Sequence, residues 1–183
     1  MKFDLDADFF HRVYGWFRNS PLLPVLGWLT HLGDSKVVFL LACGGFGERL
    51  LRRAPPLVPW LGVPIAAGVT GWIKGQVARP RPSEVFSGLG IGIGGQQGDA
   101  FPSGHATLIF ALATAACIRW PRARALWLGA ASLVALSRVA LGLHWPSDVI
   151  VGAAIGSGMV TVLSWFEKWL TRRWRKRCFA DSG

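Results

Sequence analysis

Five apolar stretches of helical length recur along the chain, running through Val37–Leu51, Leu57–Ala78, Gly104–Trp120, Ala123–Leu143 and Pro146–Trp169, and prolines or short arginine blocks separate them. Such alternation leaves few folds open. A bilayer asks for about twenty apolar residues per helix and requires each backbone N–H and C=O to be satisfied within the span. The pattern therefore predicts an all-α, polytopic membrane helix bundle of about five spanning helices, built as one integral membrane domain over residues 1–183. Composition agrees, since 51% of the residues are hydrophobic and ten are tryptophan, too oily for a soluble domain of this length.

A formal net charge of +10 at first points to nucleic acid. Position argues against it, because the basic residues fall in short blocks between apolar runs and form no continuous stripe. Anionic lipid and membrane orientation account for them better. If the spans alternate in direction, Arg49, Arg52 and Arg53, then Arg119, Arg122 and Arg124, then the block from Arg172 to Arg177 share one face, which the positive-inside rule makes cytoplasmic. Asp34, Lys74 to Arg81, Ser103 to His105, Arg138 to His144 and Asp148 then fall at the outer face.

Residues 1–32 read as an interfacial segment. Phe9, Phe10, Val13, Tyr14 and Phe17 lie at helical spacing on one side, and Leu22 to Leu32 is too short to span, so a dipping helix ending at Gly33 is expected. Asp4, Asp6 and Asp8 stand where a cleavable signal peptide would be basic. Asp34 and Ser35 are placed to cap the next helix. Cys43, Cys117 and Cys178 lack the paired spacing of a disulfide framework or zinc site. The glycine-rich outer loop over residues 83–101 has no preceding strand, which argues against a dinucleotide fingerprint and for a mobile rim over a site.

Three polar clusters interrupt this apolar background. Lys74 and Arg81 are seven positions apart, so on a continuing helix they share a stripe, whereas Arg79 points about 140° away from Lys74. Taken alone, Lys74 is an ordinary snorkelling anchor. Ser103, Gly104 and His105 open a helix, where free N–H groups and the positive dipole end favour an anion; the plain alternative is a simple N-cap. Ser103 as a hydrolase nucleophile is disfavoured, since Pro-Ser-Gly-His is not the Gly-x-Ser-x-Gly elbow. Arg138 precedes His144, and Asp148 lies in the first turn of the last helix, where a carboxylate either caps the helix or fixes the tautomer of a reactive imidazole. Cations in apolar spans cost about 2.5 to 3.5 kcal/mol each at the centre on insertion scales. Their convergence with two histidines matches what phosphoryl transfer requires.

Lys74 with six residues before Arg81-Pro82, then Pro102-Ser103-Gly104-His105, then Ser137-Arg138 with five residues before His144 and three more before Asp148, resembles the three-part signature of the type 2 phosphatidic acid phosphatase superfamily, in its bacterial membrane branch. The resemblance implies that His144 is the nucleophile and forms a phosphohistidine, with Asp148 orienting it and His105 protonating the leaving group. Lys74, Arg81, Ser103, Gly104 and Arg138 would hold the phosphate, with no metal or other cofactor. It implies a lipid phosphate or pyrophosphate substrate, undecaprenyl diphosphate first and phosphatidylglycerol phosphate, phosphatidic acid or lipid A as alternatives, cleaved at the outer side of a bacterial inner membrane. Soluble vanadate-dependent haloperoxidases share the signature but not the apolar spans. A lipid head-group binding or transport protein is the non-enzymatic alternative, and the oligomeric state stays open.

Overall fold

The structure, a computed structural model, describes residues 5–52, 57–86 and 99–180, with side chains as far as residue 173. Most of the glycine-rich loop lies outside the described residues. Among those residues every regular element is helical: α1 Leu5–Phe17, α2 Leu23–Leu29 running into a 3-10 turn Thr30–Gly33, α3 Ser35–Leu51, α4 Val58–Lys74, a single turn α5 Pro82–Val85, α6 Gly104–Arg119, α7 Arg124–Ala140 and α8 Pro146–Ala180.

Helix α6 is the axis of the bundle, packed against α3, α4, α7 and α8. Its alanines explain the position, because Ala111, Ala113 and Ala115 let neighbouring helices approach around Leu108 and Ile109. Val38 and Ala42 of α3, Val63 and Ala66 of α4, Ala131 and Val134 of α7, and Val160 of α8 complete this core. The α6–α8 contact is closest. A Cβ on Gly152 would stand 2.6 Å from the Ser103 carbonyl oxygen, and one on Gly156 would strike the Thr107 carbonyl. Glycines four apart thus allow backbone contact, as in small-residue membrane interfaces. The outward faces carry Leu40, Trp72, Leu126, Ile150, Val162 and Trp165 exposed, a surface suited to lipid and not to water.

Helices α7 and α8 are long and apolar enough to cross a membrane, over Pro121–Ala140 and Pro146–Arg173, and Leu23–Gly33 with Ser35–Leu51 forms a third span if that pair, bent by 51°, counts as one. Helix α6 is apolar but shorter. Five spans were expected; α4 stops at Lys74, short of the expected Ala78, with Gly75, a poor helix former, at its C-cap and Arg79-Pro80-Arg81-Pro82 barring any restart beyond. Helix α8 runs past the expected Trp169, since its Arg and Lys residues are good helix formers and nothing breaks them. The α7–α8 connection turns at Gly142, whose φ of 68° is the left-handed conformation glycine adopts without strain.

Chain direction places the C-terminal ends of α4 and α7 and the N-terminal ends of α6 and α8 together. At the opposite end, Arg119 of α6 reaches Glu48 of α3, with Nη2 to Oε1 at 2.8 Å, and Trp60 packs edge-on to Trp120. Helix α1 buries Phe10 and Tyr14 against the first end and leaves Leu5, Phe9 and Trp16 exposed, the two-sided pattern expected of an interfacial helix.

Candidate active site

The α7–α8 turn carries the most constrained residue. The Arg138 carbonyl accepts the amides of both Leu143 (3.0 Å) and His144 (3.2 Å), so the backbone folds back on the end of α7 and points His144 into the bundle. His144 is 2% exposed. Its Nε2 lies 3.3 Å from Nη1 of Arg81, which also donates to the Leu143 carbonyl at 2.9 Å. Burial, with Arg138 and Arg81 facing it, pushes the His144 imidazole down to about 4 against the pull of Asp148, so the ring is neutral at pH 7, with the Nε2 lone pair facing Arg81.

Asp148 is wholly buried in the first turn of α8. Its Oδ2 accepts the Trp145 amide at 2.9 Å and stands 3.6 Å from His144 Nδ1. That separation is electrostatic contact and not a hydrogen bond, and His144 Nδ1 makes none. Asp148 therefore caps the helix, and it faces the imidazole without the hydrogen bond that would fix its tautomer. Its Oδ1 is taken by Nη1 of Arg79 at 2.6 Å.

Ser103 caps α6 as expected, with Oγ accepting the Ala106 amide at 3.4 Å. The Ser103 amide donates to the Asp148 carbonyl at 3.0 Å, which joins the second cluster to the third. A Cβ added to Gly104 would meet nothing within 4 Å, so the space before this first helical amide is open. Arg138, 1% exposed, donates from Nη1 to Thr30 Oγ1 at 2.9 Å and exerts its charge on both His105 and His144. The two imidazoles thus share one cation at one end of the bundle. Lys74 donates to the Asp99 carbonyl at 2.6 Å and lies within electrostatic reach of Arg81, Arg138 and Asp148. All eight expected residues converge.

Two corrections accompany this. Asp34 occupies the N-cap position of α3 but makes no capping hydrogen bond. Its Oδ1 instead meets His105 Nε2 and its Oδ2 meets His31 Nδ1, each at 2.8 Å. Two imidazoles take the place of a backbone amide, and each contact is charge-assisted by the carboxylate. The approach depends on Gly33, where a Cβ would sit 3.1 Å from His105 Cδ2 and 2.9 Å from a Val134 methyl. Arg79 is the second. The stripe argument set it aside by continuing a helix that in fact ends at Lys74, and in the extended segment beyond, Arg79 turns inward to Asp148.

Lys74, Arg81 and Arg138, a helix-end amide and two imidazoles, each facing a carboxylate, form an arrangement with the groups needed to bind an oxyanion, attack it and move a proton. Comparison with known proteins gives the family. The chain is 31% identical over 150 residues to a lipid A 1-phosphatase of Rhizobium johnstonii (70% of this chain, 61% of the relative), so it spans about three fifths of that protein's length. It is 36% identical over 132 residues to a decaprenylphosphoryl-5-phosphoribose phosphatase of Mycobacterium tuberculosis (70% and 71%). The crystal structure of Aquifex aeolicus LpxE superposes with a TM-score of 0.75 at 25% identity, covering 88% of this chain and 95% of that one. A PAP2 superfamily model matches residues 57–172, which hold Lys74, Arg81, Ser103, Gly104, His105, Arg138, His144 and Asp148, and the chain belongs to the PAP2 superfamily.

Proposed function

We propose that the protein is a membrane lipid phosphatase that cleaves a phosphate monoester or diphosphate through a phosphohistidine on His144. The observation that carries this reading is the placement of His144 Nε2 beside Arg81, with Nδ1 turned to a buried carboxylate. A phosphoryl group held by Arg81, Arg138, Lys74 and the Ser103–Gly104 helix end presents phosphorus to Nε2. The neutral ring attacks, the P–O bond to the lipid breaks, and the positive charge that develops on the imidazole is stabilised by Asp148. His105, paired with Asp34 through Nε2, takes up a proton from solvent as the anionic substrate binds and gives it from its other nitrogen to the departing oxygen. Water then attacks the phosphohistidine, with His105 now accepting a proton, and phosphate leaves.

The five-span bundle, with the arginine blocks cytoplasmic and the site at the outer face of a bacterial inner membrane, belongs to this proposal. The site sits at the bundle end opposite Glu48 and Arg119, which the positive-inside rule puts inside. For the substrate, a polyprenyl diphosphate such as undecaprenyl diphosphate stands first; the name of the mycobacterial relative also contains a polyprenyl chain. Lipid A is the second reading, from the name of the Rhizobium relative. A phosphate-release panel over undecaprenyl diphosphate, lipid A, phosphatidylglycerol phosphate and phosphatidate, with the purified protein in detergent, tests this. Release from one of them at least tenfold faster than from the rest is expected, and release from none overturns the proposal.

A further inference from the structure

Arg79 and Asp6 form a joint between the interfacial helix and the catalytic carboxylate. Arg79 Nη1 donates to Asp148 Oδ1 at 2.6 Å and to Ser147 Oγ at 2.7 Å, while Nη2 donates to Asp6 Oδ2 at 2.6 Å. Asp6, in the first turn of α1, also accepts the Ser147 amide at 2.9 Å and its hydroxyl at 2.5 Å. The guanidinium stacks over Trp145, 5.3 Å from its centroid, and the Trp145 indole donates to the Pro80 carbonyl at 2.9 Å. Three segments distant in sequence are fastened at one guanidinium. On the same helix, Phe10 packs against Trp145 and Phe86, while Leu5, Phe9 and Trp16 face outward.

We propose that Arg79, held in place by Asp6 of α1, is a positioning residue that fixes the Asp148 carboxylate before His144, so that the docked interfacial helix is part of the active-site scaffold. The inference rests on His144 being the nucleophile. Asp148 has two oxygens and three claimants: Arg79 holds Oδ1, the Trp145 amide holds Oδ2, and His144 Nδ1 waits at 3.6 Å from Oδ2. Without the guanidinium, Oδ1 is a buried acceptor lacking a partner, the carboxylate is free to rotate, and its charge acts undivided on the imidazole. The other charges around the pair are Arg81 beyond α4, Lys74 at the end of α4, Arg138 on α7 and Asp6 on α1. Burial raises the Asp6 carboxyl, but hydrogen bonds from Ser147 and Arg79 outweigh it and hold it below the usual range, so the joint persists through neutral pH.

The test combines histidine-selective ¹⁵N NMR titration of the intact protein in detergent with phosphate-release kinetics, the His144 signal being assigned by its loss in H144Q. Arg79→Gln is expected to raise the His144 midpoint by about one pH unit and to lower kcat about tenfold or more with KM little changed. Arg79→Lys restores part of both. Asp6→Asn, the milder change that keeps an acceptor for the Ser147 amide, lowers kcat in the Arg79 protein and has no further effect in the Arg79→Gln protein, since the two act through one contact. An Arg79→Gln protein with an unmoved His144 midpoint, or one altered only in KM, overturns the proposal. Additive Asp6 and Arg79 effects overturn the part given to α1. The NMR midpoint needs no substrate, so a protein inert towards every lipid phosphate refutes the phosphatase reading while the joint is still judged.

Discussion

The candidate active site contains two imidazole–carboxylate pairs built to opposite specifications. His105 and Asp34 are in hydrogen-bond contact at 2.8 Å, and Asp34, 41% exposed at its side chain, continues to His31, which is 60% exposed. His144 and Asp148 stand 3.6 Å apart, 3% and 0% exposed at their side chains, and the carboxylate is shared with Arg79. One pair is a short path to water; the other is sealed. On the proposed mechanism, the difference follows from the two tasks. A general acid must recover a proton each turnover, and a chain of ionisable groups reaching solvent supplies it. A nucleophile must stay neutral until phosphorus is in line, and burial among cations does that, while a carboxylate held just beyond hydrogen-bond distance is ready for the charge that develops.

The sharpest break of this comparison is His144→Ala, which is expected to lower turnover by about 10⁴-fold or more, as removal of a covalent nucleophile does. The variant should still fold and insert, because the turn that carries His144 is held by backbone hydrogen bonds to the Arg138 carbonyl and not by the ring. Asp34→Asn attacks the open pair and is expected to lower kcat by about 10²-fold, the low end of general acid catalysis, with substrate affinity preserved. A loss as deep as that of His144→Ala would show that the pairs do not divide the work as described.

The sealed pair also predicts a pH dependence. With His144 at about 4 in the folded protein against an ordinary 6.5, the acid limb of kcat/KM should lie near pH 4 and not near 6.5. The same depression has a stability consequence of definite sign. Between these values the unfolded chain binds a proton that the folded chain refuses, so stability is complete above pH 6.5 and declines as pH falls towards 4. Thermal denaturation across that window should show the decline in the wild type and a smaller one in His144→Gln. His31→Ala sharpens the comparison at its mild end. It removes only the exposed terminus of the open pair and should change kcat within about fivefold, the scale of an exposed ion pair.

The sequence exposes most of this site for a simple reason. Lys74, Arg81, Ser103, His105, Arg138, His144 and Asp148 each combine costly chemistry with a position beside a helix end, so their types and spacings carry the information. Asp34, Arg79 and Asp6 were misread because each has a sufficient local explanation. Asp34 stands where a cap belongs, yet its partner lies 71 residues away. Arg79 was judged by helical angle, although the prolines around it show the helix has ended. Asp6 stands in the sequence only among the acids that argue against a signal peptide, and its partners Arg79 and Ser147 are separated from it by 73 and 141 residues. Tertiary partnership leaves no local trace. A polar residue beside a helix breaker, adjacent to a recognised cluster, is the signal that could have raised Arg79.

The most direct measurement is a crystal structure of the protein with orthovanadate, which takes up the trigonal geometry of phosphoryl transfer. The account predicts vanadium bonded to Nε2 of His144, with Arg81, Arg138, Lys74 and the Gly104 amide on its equatorial oxygens and His105 facing the apical oxygen opposite His144. Vanadate bound away from His144, or bonded there with His105 out of reach of that oxygen, would contradict it.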